Sequence, residues 1–199
     1  LNWLSTNKIL TIISPAEMGG WSQLNQFLIK YPQLPVLLIN AYWSEQRYLL
    51  PLVGRHKNLH ISFDNFQINE GIEYLYKKGL TNQMVFASKA PAMSAGAHRS
   101  FVDYADVPFE AKVKIAGGNL IRLLHGQTLP GSRFNTNEDK LMAAVRQGLP
   151  LPVPVVDMHM HMLDEGMNGS GWHYHMEHGG PSGVFPLVKR LGYQGGGIM

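Results

Sequence analysis

Cysteine is absent from the 199-residue chain. That excludes disulfides and thiolate metal sites, and it fits a reducing compartment. Long apolar runs are missing as well: no stretch approaches about 18 consecutive apolar residues, and no signal-peptide pattern opens the chain. A cytoplasmic protein without a membrane partner is therefore expected. Charge is sparse, with 16% charged residues and a net charge of +3. The only adjacent basic pairs are Lys77-Lys78 and Lys189-Arg190, too little for a nucleic-acid or anionic-membrane footprint. What remains is a globular composition with 45% hydrophobic residues.

Short apolar segments alternate with helical spacing. Residues 8–13, 35–39, 58–63 and 83–87 read as buried strands, because they are apolar and bounded by turn residues. Between them, 21–31 carries Trp21, Leu24, Phe27, Leu28 and Tyr31 at helical spacing, stopped by Pro32. Residues 45–53 read as a helix flawed by Pro51, and 70–78 as a helix ending on Lys77-Lys78-Gly79. A longer helix spans 109–124, interrupted by Gly117-Gly118. Apolar strands separated by helices imply parallel βα units, as in a doubly wound sheet or a (β/α)8 TIM barrel. No glycine-rich phosphate fingerprint follows any of these strands, which favours the barrel.

Residues 126–136 are rich in Gly, Ser, Asn and Thr and mark a boundary. A short amphipathic helix at 137–147 follows. Pro150, Pro152 and Pro154 then deliver the chain to a new strand at Val155. The expected organisation is a unit at 1–126, a linker and short helix at 127–150, and a second unit at 151–199. The chain opens at Leu1 without an initiator Met and closes on what reads as a strand beginning. A fragment at both ends is expected.

Five of the nine histidines lie between 159 and 178. Alternate residues of a strand share a face, so Asp157, His159, His161 and Leu163 point one way and Met158, Met160 and Met162 the other. Two imidazoles about 7 Å apart along one face can both reach one divalent ion. The bland counterpart is a strand end with two ordinary histidines. A second cluster, Trp172-His173-Tyr174-His175-Met176-Glu177-His178, lies between glycine-rich stretches and reads as a loop over the rim.

Val155-Val156-Asp157-Met158-His159-Met160-His161 resembles the first barrel strand of the amidohydrolase superfamily, which begins with an Asp-x-His-x-His pattern. The nearest branch by this likeness is the amidohydrolase-related group that includes decarboxylases of the aminocarboxymuconate-semialdehyde type. The resemblance implies His159 and His161 as ligands of a divalent metal, zinc first, that activates water. On it, 185–191 becomes the first helix and 192–199 the second strand. Residues 1–126 resemble the C-terminal half of the same fold. Met84-Val85-Phe86-Ala87-Ser88-Lys89-Ala90-Pro91 is similar to the last barrel strand, and 111–124 to the closing helix with its Asn119. The four early strands then count as barrel strands five to eight. Here the family's acidic ligand falls on Lys89, and the histidines expected after strands five and six are missing at Ser14 and Asn40. The resemblance thus implies that the first copy has lost its metal site. Asp64 reads as a cap for the turn that follows it.

The chain accordingly looks like the tail of one barrel joined to the head of another, with 153–161 expected to dock beside 83–87. The function implied is metal-dependent hydrolysis of a small-molecule substrate at a C–N or C–O bond, with C–C cleavage equally open. The alternative is a non-catalytic barrel-like domain or subunit that supports an active paralogue. A second copy of the chain or a paralogous subunit is the partner to expect.

Overall fold

β-branched and leucine-rich segments form the first three strands, and each is followed by a helix that packs into the core beside the sheet. The computed structural model describes residues 1–124, 140–162 and 178–198. After a short helix α1 (Asn2–Thr6), the elements are β1 (Thr11–Ile13), α2 (Trp21–Lys30), β2 (Val36–Leu38), α3 (Gln46–Arg55), β3 (Leu59–Ser62), α4 (Gly71–Lys77) and β4 (Met84–Val85). The four strands form one parallel sheet in the order β1-β2-β3-β4. Every expected strand in this half is present but shorter than its apolar run. The helices fall where the periodicity placed them, and α3 runs through Pro51 to Arg55.

Both faces of this sheet are covered. Val36, Leu38, Leu59, Ile61 and Met84 join the principal core with Leu24 and Leu28 of α2, Leu49 and Val53 of α3, and Ile72 and Leu75 of α4. On the other face Leu37 and Val85 pack with Leu120 and Leu123. Ile12, aligned with Leu37 at the β1 edge, is 58% exposed, so that cover stops short of β1.

The long helix expected at 109–124 is three pieces: α6 (Phe109–Val113), a π-helical turn (Lys114–Gly118) and α7 (Asn119–Leu123). The π turn falls on the Gly117-Gly118 interruption. It leaves the Ile115 carbonyl able to accept a hydrogen bond from Phe86 N at 3.0 Å, just beyond β4. Asn119, buried, donates its side-chain amide to the carbonyls of Thr81 and Met84 at 2.8 and 2.7 Å. The helix is thereby laced along the outer side of β4.

That lacing corrects the expectation that 153–161 docks beside 83–87. After α8 (Lys140–Arg146), β5 (Val155–Met160) pairs in parallel with β6 (Tyr193–Ile198), across α9 (Pro181–Arg190), as a separate two-stranded sheet. Among the described residues the two sheets are open, and no closed barrel forms. What is present is an α/β architecture of parallel strands. An unexpected helix, α5 (Ala95–Asp103), follows β4, capped by Ser94, whose Oγ accepts from Ala97 N. The two parts touch where Arg190 donates to the Tyr104 carbonyl (2.9 Å), the Tyr104 hydroxyl donates to the Leu149 carbonyl (3.0 Å), and His178 Nδ1 meets Glu70 Oε2 (2.7 Å).

Candidate functional site

The strand β5 breaks its alternation where the histidines begin. Its pairing with β6 is regular at neither end, and a register shift separates Asp157 from Met160. Asp157 Oδ1 accepts from His159 N at 2.9 Å, a local turn that draws the backbone in just before the first imidazole. Gly196 of β6 makes room for it. A Cβ there would overlap the Met160 methyl and lie 2.9 Å from the Asp157 carbonyl oxygen.

The result is convergence. His159 Nε2 and His161 Nε2 lie 3.0 Å apart, with the rings tilted at 64° and their centroids 4.9 Å apart. Both side chains are exposed and border a cleft of about 240 Å³. Asp157, Met160, Tyr193, Asn69 and the α9 residues Val184, Leu187 and Val188 also line it. Burial, and secondly the charge of Asp157, push the Tyr193 phenol above its ordinary range, so it faces the cleft as a neutral hydroxyl.

In this state one imidazole donates to the other. The same separation also suits two ligands of one ion: bonds of roughly 2.0–2.1 Å to each nitrogen would close an angle of roughly 90–100°. Among the described residues no group of three or more acidic or histidine side chains gathers as a metal site. The donor set at hand is therefore two nitrogens, with Asp157 already engaged by the backbone.

The expected split of faces is only partly realised. Met160 lines the cleft with the histidines instead of turning away from them, because the register shift intervenes. Met158 does turn away, but it is 74% exposed rather than covered by a helix. Of the second histidine cluster, 173 and 175 lie outside the described residues, while His178 pairs with Glu70. Tyr193 and Asn69 were missed by sequence reasoning. The signal for Tyr193 was its place at the head of the expected second strand. Asn69 comes from the segment before α4 and carried no signal.

The rim of the four-stranded sheet is occupied differently. Lys89 Nζ donates to Asn40 Oδ1 at 2.8 Å, and with its amide turned to suit, Asn65 accepts from the same ammonium at 3.2 Å. Asn40 and Lys89 both have left-handed backbones, with φ of 56° and 54°. Asp64 is buried and accepts from Asn40 N at 2.9 Å and from the Ser62 hydroxyl. It thus secures the end of the neighbouring strand β2, not the turn after itself. His98 of α5 closes over this rim, its Nε2 lying 3.0 Å from the Asp64 carbonyl oxygen. An ammonium stands where the resemblance expects a metal-ligating carboxylate, and the Asp64 carboxylate is spent on structure.

No protein-family model matches the chain, and no curated protein or solved structure matches it either. Among the described residues no helix is long and apolar enough to cross a membrane.

Proposed function

We propose that the chain belongs to a metal-dependent hydrolase of the amidohydrolase type, with its βα units part of a (β/α)8 architecture and β5 the strand that brings the metal. The observation that carries this reading is the 3.0 Å approach of His159 Nε2 and His161 Nε2 at the mouth of a cleft. The two imidazoles would hold the ion, zinc by preference for nitrogen donors. Bound there, it would supply Lewis-acid polarisation of a carbonyl and a water made acidic enough to ionise near neutral pH. Asp157 fixes the backbone that presents His159, and Tyr193 offers a neutral hydroxyl to a substrate oxygen. The apolar wall from α9 excludes water from one side of the cleft.

A calorimetric zinc titration tests this. One equivalent should bind the chain, and the double variant His159→Ala/His161→Ala should bind at least about ten-fold more weakly. Equal affinity in the two proteins counts against the reading. Two protein ligands fall short of the three usual in catalytic zinc sites, so turnover of simple esters or amides by this chain should stay at background.

A second reading is supported by the other rim. Lys89, held by two amide oxygens, and Asp64, committed to Asn40 and Ser62, leave the four-stranded unit without ligands of its own among the described residues. That unit then acts as a non-catalytic support for an active one.

A further inference from the structure

The end of the four-stranded sheet opposite the Lys89 rim is where the strands begin and α2, α3 and α4 finish. Its charge is of one sign. Lys30 ends α2, Arg55 ends α3, Lys57 follows in the turn to β3, and Lys77 and Lys78 close α4. Arg122 reaches the same end, donating to the Asn82 carbonyl at 2.8 Å. No Asp or Glu occurs in residues 18–44, 46–63 or 74–102, which carry these strands and helix ends. The carboxylates of these βα units stand at the other end: Glu17 accepts from Ser14 N after β1, Glu45 from Tyr42 N after β2, and Asp64 follows β3. A helix C-terminus carries only about half a negative charge, so those of α3 and α4 offset little of the charge on Arg55, Lys57, Lys77 and Lys78. Buried His56 registers the excess, since burial first and the Arg55 charge second pull it below the ordinary imidazole range.

A cavity of about 380 Å³ opens at this end between α3 and α4. Leu50, buried Leu80 and the Tyr74 ring supply its apolar wall, and Lys57 and Lys78 are its charged lining. Both lysines are exposed, and neither pairs with a carboxylate among the described residues. Lys78 Nζ lies 5.5 Å from the centroid of the Tyr74 ring, so cation and aromatic face stand side by side. Gly54 of α3 keeps the groove open, because a Cβ there would meet nothing within 4 Å. We propose that this cavity binds a small phosphomonoester with a flat, apolar body, independently of the histidine cleft. Two ammoniums bordering one cavity match a group that carries about −1.5 to −2 charge at neutral pH, and lysine meets phosphate as a point charge. The body lies against Tyr74, Leu50 and Leu80 and takes their apolar surface out of water. The volume suits a ligand of that size. Two lysines suffice for one phosphate and are too few for a polyanion.

The test is calorimetry on the whole chain, without added metal, using phenyl phosphate, phenylacetate, benzyl alcohol and inorganic phosphate. Phenyl phosphate should bind with a dissociation constant below about 1 mM, and the other three at least about five-fold more weakly. Lys57→Gln and Lys78→Gln should each weaken phenyl phosphate at least about three-fold, and the double variant at least about ten-fold. Gly54→Leu puts a better helix former in α3 and fills the groove, so it should keep the melting midpoint and weaken phenyl phosphate at least about ten-fold. Phenyl phosphate binding no tighter than that of inorganic phosphate, phenylacetate or benzyl alcohol overturns the proposal. So does an affinity unchanged in Gly54→Leu or in the double lysine variant. Binding lost in His159→Ala/His161→Ala or in Lys89→Ala would place the phosphate elsewhere and overturn it too.

Discussion

Two parallel sheets in one chain use their surfaces in opposite ways. In the four-stranded sheet Leu38 and Ile61 are fully buried and helices cover both faces from β2 to β4. In the two-stranded sheet Val156 is 58% and Met158 74% exposed among the described residues. Apolar content alone does not set burial; neighbouring elements do. The rims differ in the same sense. Over the covered sheet, Lys89, Asn40, Asp64 and Ser62 are consumed by one another. Over the small sheet the two imidazoles meet each other and stay open to a cleft. Polar groups that complete a scaffold are unavailable for chemistry, and the candidate site lies where the scaffold is thinnest.

Core truncation should break this comparison most sharply if it is wrong. Leu38→Ala or Ile61→Ala should each cost about 2–5 kcal/mol in urea denaturation, whereas Met158→Ala should stay within about 0.5 kcal/mol. Similar losses at the three positions would show that the small sheet is as covered as the large one. Next in size is Asn119→Ala, which strands the carbonyls of Thr81 and Met84 and should cost about 1–3 kcal/mol. Hydrogen exchange at the Phe86 amide should quicken in that variant, since the helix that caps it loses its clamp.

A pH effect of smaller size separates the sheets as well. His60 lies within the covered sheet at 3% exposure, and its Nδ1 meets no hydrogen-bond partner among the described residues. Burial first, opposed by backbone contacts at Val36 and Asn58 and reinforced by Arg122, pulls its pKa below the ordinary imidazole range. The unfolded chain therefore takes up a proton more readily than the folded one. Stability should be complete above about pH 6.5 and decline as the pH falls through that region. His60→Leu should flatten this part of the profile, read from denaturation midpoints at several pH values; an unchanged slope would remove His60 from the account. The smallest effect belongs to exposed Lys89, where Lys89→Ala should alter stability by less than about 0.5 kcal/mol.

The order of strands and helices was legible because period and punctuation agreed: Pro32 stopped α2, and Lys77-Lys78-Gly79 ended α4. The helix α5 was not legible. Gly96 dilutes its start, and its cap is only Ser94, with His98 and Val102 as the buried stripe. The π turn at Lys114–Gly118 could be read only as an interruption, since its purpose is a long-range bond to Phe86. That same bond defeats the expected docking of β5 beside β4, and periodicity carries no record of it. For the site, the pairing of His159 with His161 was visible in the strand pattern. The register shift that turns Met160 toward them was not, because it depends on Gly196 across the sheet.

The central claim is that His159 and His161 act together as nitrogen ligands of one ion. Cobalt(II) titration followed by visible absorption tests it most directly, because the ligand-field bands report the donors and their geometry. The account predicts one equivalent per chain, with bands that disappear in either His159→Ala or His161→Ala. Spectra that match aqueous cobalt throughout, or bands that persist when both imidazoles are removed, would contradict it.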